Sequence, residues 1–158
     1  MFHEFVVTVN YDVSIEDMVE AIEGPTTVPK QFRRKDKDVT SKNFPCIHRG
    51  TIERKVIVYY PECFVRIKHV LHILRRENLQ SGDVRELLAY GEKYLTVGID
   101  SPPPITALGF IWRGLDGRQY APSLYGDSWV KRVHLDWTRS IWSPRFGFIA
   151  RPKASTQA

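Results

Sequence analysis

The sequence contains little cysteine and no long apolar run, and each absence excludes a class of protein. Its two cysteines, Cys46 and Cys63, do not form a CxxC pair, so no disulfide framework and no paired-cysteine zinc site are predicted. Both thiols are expected to be at least half-buried. No segment approaches the roughly 18 apolar residues of a membrane-spanning helix, and the N-terminus lacks the basic and apolar regions of a secretion signal. We therefore expect a cytoplasmic protein without a membrane partner.

The motifs of common enzyme and cofactor classes are also missing. The phosphate-binding patterns GxGxxG and GxxxxGK[ST] do not occur, nor do HExxH and GxSxG. His69 and His72 have a spacing that would let them share one metal ion on a helix. Lys68 and Arg76 are predicted on the same face and would repel a cation. No metal and no cofactor are therefore predicted.

His134 and Asp136 are the pair that most resembles a catalytic site. They alternate on a predicted strand and could orient one another as base and carboxylate. The same alternation is typical of a polar outer face whose inner face carries Val133 and Leu135, and this interpretation is favoured. An enzyme with a site at these two residues remains an alternative, not the prediction.

The bulk composition is that of a soluble globular chain with a basic excess. The 158 residues are 42% hydrophobic and 26% charged, which suits a single domain with a continuous core. The net charge of +5 and the isoelectric point near 9.3 favour an acidic partner, either nucleic acid or an acidic protein.

The first 100 residues show the patterns of two strands and three helices. Alternating β-branched residues predict strands over 5–10 and 51–60, and helical periodicity predicts helices over 14–22, 63–77 and 83–94. Ser14 is a candidate N-cap of the first helix, and Ser81 or Asp83 is a candidate N-cap of the third. Phe64 is predicted on the buried face of the middle helix. The segment 24–45 has no periodicity and is predicted to be a long loop with a basic cluster.

The last third is β-like. Pro102, Pro103 and Pro104 predict a rigid hinge, and the pair Asp116-Gly117 between apolar runs predicts a hairpin. The fold class is therefore predicted to be α+β, in one domain over 1–158. A strand–helix–strand–helix–helix part over 1–100 would pack with an antiparallel β part over 105–152.

All four tryptophans lie in this last third, interleaved with cations. They are Trp112, Trp129, Trp137 and Trp142, and the cations are Arg113, Arg118, Lys131, Arg132, Arg139 and Arg145. Most of the rings must be core, because burying an aromatic side chain contributes about 1.5–3 kcal/mol. Trp129 and Trp142, at predicted turns, are the candidates for surface platforms on which a base or a sugar could stack.

Several segments resemble a family of short uncharacterised bacterial proteins. DVRELLAYGEKY, ITALGF, GRQYAPSLYGD, HLDW and FGFIARP are similar to the ELLALG and FPIVALGS segments and the Trp-rich end of that family, and NYDVSIEDMVEA and DVTSKNFP are similar as well. The prolines 102–104 replace a charged stretch, and Phe110 stands where the family has Ser. The resemblance implies a self-contained bacterial domain and no particular activity.

These observations predict a non-enzymatic binding module for an anionic partner, with nucleic acid the first choice. The predicted contacts come from the basic loop and the aromatic–basic β part: Arg33, Arg34, Lys35, Lys37, Trp129, Lys131, Arg132, Trp142 and Arg145. The first alternative is a protein- or carbohydrate-binding module that uses the Trp-rich part. The second is the enzyme considered above.

Overall fold

Alternating apolar residues build the strands of one mixed sheet. The computed structural model describes residues 1–23, 38–95, 103–126 and 131–154. In β1 (Phe2–Asn10), Val7 and Val9 are fully buried while Val6 and Thr8 face solvent. The remaining strands are β2 (Thr51–Tyr59), β3 (Leu79–Ser81), β4 (Ile105–Ala107), β5 (Trp112–Arg113), β6 (Gln119–Gly126), β7 (Lys131–Trp137) and β8 (Gly147–Pro152).

Three helices accompany these strands: α1 (Ile15–Glu23), α2 (Ile67–Arg76) and α3 (Val84–Tyr94). Ser14 Oγ accepts a hydrogen bond from the amide of Asp17 at 3.1 Å, as expected of an N-cap. Asp83 forms a full capping box with Glu86 at the start of α3. The predicted cap at Ser14 is confirmed, and of the two residues predicted for α3, Ser81 and Asp83, the cap is Asp83. None of these helices is long and apolar enough to cross a lipid bilayer.

The sheet joins the two ends of the chain. Its strand order is β1-β2-β8-β4-β6-β5, with β3 also paired to β8 and β7 paired to β6. The last strand, β8, lies between β2 and β4, antiparallel to the first and parallel to the second. The α+β class is confirmed, and the two predicted parts share one sheet. Pro104, at the end of the predicted hinge, is tied to this sheet by the amide of Gly147, which donates to its carbonyl at 2.8 Å.

Two hydrophobic cores cover the two faces of the sheet. The first contains Ile149 of β8 together with Ile15 of α1 and Leu87 of α3. The second contains Phe148 of β8, residues of α2 and Trp142. Consecutive residues of β8 therefore point into different cores, as the period of two in a strand requires. The arrangement is a three-layer one, with α1 and α3 on one face and α2 on the other.

Two details of the sequence interpretation are wrong. Phe64 is 68% exposed, because α2 begins only at Ile67 and Val65 before it forms a bridge with Trp142, which takes Phe64 out of the helical register. Cys46 and Cys63 are both exposed rather than half-buried. Each cysteine lies in a connection that precedes an element, and connections run over the surface.

Candidate functional site

The hairpin between β5 and β6 positions the most distinctive cationic surface of the described chain. Gly117 has φ +78°, which suits the turn that the Asp-Gly pair predicts. The amide of Gly114 donates to the carbonyl of Arg118 at 2.9 Å, and the amide of Arg118 donates to Asp116 Oδ1 at 3.0 Å. The predicted hairpin is confirmed, with Arg113 at the end of β5 and Arg118 in the turn directly before β6.

A cleft of about 360 Å³ opens beside this hairpin. Its lining residues come from the hairpin and from the end of β7: Arg113, Asp116, Gly117, Arg118, Gln119, Trp137 and Arg139. The Cζ atom of Arg118 lies 4.9 Å from the centroid of the Trp137 ring, within the range of a cation–π contact. Trp137 nevertheless remains 40% exposed, so the ring is available to a partner. We call this set of residues the arginine cleft.

The segment after β7 is held in place at the arginine cleft by backbone contacts. The amide and the hydroxyl of Thr138 both donate to the carbonyl of Gln119, at 3.0 and 3.2 Å. Arg66 donates through Nη1 to the carbonyl of Arg139 at 3.3 Å. These bonds fix the backbone at Arg139, and the side chain of Arg139 is exposed.

The charge of the arginine cleft is positive. Its lining contains three guanidinium groups and a single carboxylate, Asp116. The hydroxyl of Tyr120 donates to Asp116 Oδ2 at 2.6 Å, and this bond, followed by the amide of Arg118, lowers the pKa of Asp116. Asp116 is therefore an ionised residue that is already engaged by the hairpin. The surplus of guanidinium donors is what remains to bind an anion.

The predicted surface platform at Trp142 is wrong. Trp142 is only 3% exposed, and its backbone exchanges two hydrogen bonds with Val65, of 3.0 and 2.8 Å. Its ring packs edge-on against Phe146 and Phe148, with centroids 4.8 and 5.6 Å away. A turn position does not expose the ring here, because the turn folds back over the second core.

The cations predicted to lie around Trp142 do not form one surface in the structure. The ammonium of Lys131 donates to the carbonyl of Gly91 near the end of α3 at 2.9 Å, so it serves the packing of helix against sheet. Arg132 and Arg145 are exposed, but neither lines the arginine cleft. The remaining predicted contacts, Arg33, Arg34, Lys35, Lys37 and Trp129, lie outside the described residues.

The pair His134 and Asp136 lies on a polar strand face, as favoured above. Val133 and Leu135 between and beside them are buried in the first core. The hydroxyl of Tyr125 donates to Asp136 Oδ2 at 2.7 Å, and its ring meets His134 edge-on at 5.1 Å. Burial and this bond raise the pKa of Tyr125. The Tyr125 hydroxyl is therefore a hydrogen-bond partner of Asp136 on this face.

Metal ligands are not assembled in the described part of the chain. No group of three or more His, Cys, Asp or Glu residues there could hold a metal ion. His69 and His72 are both exposed on α2.

Comparison with protein-family models, with curated proteins and with solved structures gives no match.

The arginine cleft was only partly visible in the sequence. Trp137 and the three arginines all belong to the interleaved aromatic–basic pattern, but the pattern does not say which ring is exposed. The Asp-Gly turn supplied one usable signal, because it places Arg113 and Arg118 in one hairpin. The proximity of Trp137 depends on the pairing of β6 with β7, in which Tyr120 faces Trp137.

Proposed function

We propose that the protein binds an anionic partner, single-stranded nucleic acid, through the arginine cleft. The observation that carries the proposal is the guanidinium of Arg118 over the exposed ring of Trp137, with Arg113 and Arg139 in the same cleft. A guanidinium stacked on a ring keeps its in-plane N–H groups directed outward, where they match phosphate oxygens.

The aromatic ring favours a nucleic acid over a simple anion. An exposed tryptophan beside cations offers one surface for a base and another for the backbone, and base stacking contributes about 1–3 kcal/mol per ring. A single-stranded partner is favoured because its bases are free to reach a side chain, whereas the bases of a duplex are stacked. The overall charge of +5 supports association with a polyanion.

The primary test is the salt dependence of binding. Fluorescence anisotropy of a labelled single-stranded RNA, and of a duplex DNA for comparison, is measured with the full chain at about 50 and about 200 mM salt. Three phosphate contacts to a single strand predict that the RNA affinity falls roughly tenfold to twentyfold between these concentrations. No binding at the lower salt overturns the proposal. RNA binding that salt leaves unchanged would contradict phosphate contacts at the arginine cleft.

Matched variants locate the binding surface. The double variant that carries Arg113→Ala and Arg118→Ala should weaken RNA binding and flatten its salt dependence. The double variant that carries Arg75→Ala and Arg76→Ala removes the same charge from the exposed end of α2, which does not line the arginine cleft. An equal loss in both double variants would show that only net charge matters and would contradict a defined site.

The contribution of the Trp137 ring to RNA binding is tested with a separate control variant. Trp137→Ala should weaken RNA binding by about tenfold, the equivalent of one stacked base. Phe110 is 41% exposed, against 40% for Trp137, but it packs against Phe44 away from the arginine cleft. Phe110→Ala should therefore leave the affinity unchanged. If both variants bind like the wild type, stacking on Trp137 plays no part.

A further inference from the structure

A second cavity, of about 440 Å³, shares Asp116 with the arginine cleft but has a different lining. Its walls are two half-buried rings, Trp112 and Tyr120, with the buried side chain of Leu135. Its polar groups are the side chains of Asp38, Asn43 and Asp116. Cavities of this size, with apolar walls and a few convergent polar groups, are typical of small-molecule sites. We call it the aromatic cavity.

The hairpin builds the aromatic corner of this cavity. Trp112 of β5 is paired directly with Tyr120 of β6, and the two rings lie 6.0 Å apart at an interplanar angle of 37°. Gly114 lies beside them, where a Cβ atom would stand 3.1 Å from the ring of Tyr120 and 3.6 Å from that of Trp112. The absence of a side chain at Gly114 therefore leaves the rings accessible.

The acidic side of the aromatic cavity is held by packing. Asp38 comes directly before Val39, and Val39 and Phe44 are each only 2% exposed in the first core. Asn43 donates through Nδ2 to the carbonyl of Asp38 at 2.8 Å. Across the cavity, Asp116 is anchored by the hydroxyl of Tyr120 at 2.6 Å. The backbone of Asp38 and the carboxylate of Asp116 are thus each held by a hydrogen bond from a neighbouring side chain.

The charge of the lining selects the class of ligand. The described residues that line the aromatic cavity include two carboxylates and no lysine, arginine or histidine. An anion such as phosphate is excluded by like-charge repulsion. A small hydrated metal ion would gain little from ring walls, because hard cations require a shell of oxygen ligands.

We infer that the aromatic cavity binds an organic ammonium ion, a cation whose charge is spread over an N-alkylated, weakly hydrated head. Tryptophan and tyrosine faces attract such heads through their ring quadrupoles, and Trp is the strongest of the three aromatic residues in this respect. Asp38 and Asp116 supply the compensating charge. This site shares only Asp116 with the arginine cleft, and the inference does not depend on nucleic-acid binding.

The test compares choline with 3,3-dimethylbutan-1-ol, its neutral carbon isostere. Both probes have the same shape and hydroxyl group, so only the charge differs. Titration of the full chain is followed by the indole N–H resonance of Trp112 in ¹H–¹⁵N NMR spectra, assigned with Trp112→Phe. Choline should shift this resonance saturably and bind at least about tenfold more tightly than the isostere.

Variants and a competitor complete the experiment. Asp38→Asn keeps the shape of a half-buried side chain and should weaken choline binding severalfold, while Arg76→Ala at the exposed end of α2, outside the cavity lining, should leave it unchanged. Excess single-stranded RNA should not displace choline. Equal binding of the isostere, no response of Trp112, or full affinity in Asp38→Asn would each overturn the inference. None of these results would bear on RNA binding at the arginine cleft.

Discussion

The side chain of Glu86 is fully buried at the start of α3, although it carries a carboxyl group. Its Oε1 accepts from the amide of Asp83 at 3.1 Å and from Arg151 Nη1 at 2.7 Å. Its Oε2 is buried without a hydrogen-bond partner in the described structure. Burial raises the pKa of Glu86 from 4.5 to about 7; the charge of Asp83 adds to this effect, and Arg151 opposes it.

This raised pKa predicts a pH-dependent stability. The fold favours the protonated acid, so the contribution of Glu86 is fully present below pH 4.5 and is lost as the pH rises to about 7. In that window the unfolding free energy of the wild type, relative to Glu86→Gln, should fall by up to about 1.4 kcal/mol per pH unit. Urea unfolding of both proteins at several pH values measures the difference. A difference that is constant with pH would contradict the raised pKa.

Trp142 and Trp137 should respond in opposite ways to the same truncation. Trp142 is 3% exposed and packs against two phenylalanines, so Trp142→Ala should lower the unfolding free energy by about 3–5 kcal/mol. Trp137 is 40% exposed, so Trp137→Ala should cost only about 1 kcal/mol or less. Chemical denaturation followed by circular dichroism checks both values. Similar losses of unfolding free energy in the two variants would contradict the difference in burial between the two rings.

At the scale of elements, the hairpin of β5 and β6 has a backbone requirement that can be tested by itself. Gly117 and Gly50 have φ of +78° and +75°, and a Cβ atom at either would meet nothing within 4 Å. Replacing either by Ala should therefore cost about 1 kcal/mol of stability, through backbone strain alone. Gly117→Ala should also weaken RNA binding, because the turn positions Arg118. Gly50→Ala is the control. Equal RNA affinity in the two variants would show that the conformation of the turn does not affect RNA binding.

Elements with a strong local signal were predictable, and those set by distant contacts were not. The capping box of Asp83 and Glu86 and the alternation in β2 are encoded within a few residues, so α3 and β2 appear as expected. The start of α2 depends on the bridge between Val65 and Trp142, which are far apart in the chain. The same bridge buries the ring of Trp142. The local sequence does not show this contact, and Trp142 was therefore wrongly predicted to be a surface platform.

At the scale of the whole molecule, the last strand completes the structure. β8 is the neighbour of β2 on one side and of β4 on the other, and it supplies Phe148 and Ile149 to the two cores. Among the described strands, β1 and β2 are therefore paired to the rest of the sheet only through β8. Arg151 of β8 also pairs with Glu86 of α3 at 2.7 Å, so a partly buried polar contact joins the N-terminal and C-terminal parts as well.

This connectivity predicts that the two sequence parts, 1–100 and 105–152, unfold together. The sequence provides a separate probe for each part, because all four tryptophans lie beyond residue 110 and the three described helices lie before residue 95. Tryptophan fluorescence therefore reports on the C-terminal part, and far-ultraviolet circular dichroism reports mainly on the N-terminal part. Since removing β8 from either neighbour would expose both cores, urea unfolding followed by the two signals should give coincident curves with one midpoint. Two separated transitions would show that each part keeps its fold without the other, and the shared sheet would then not act as one cooperative unit.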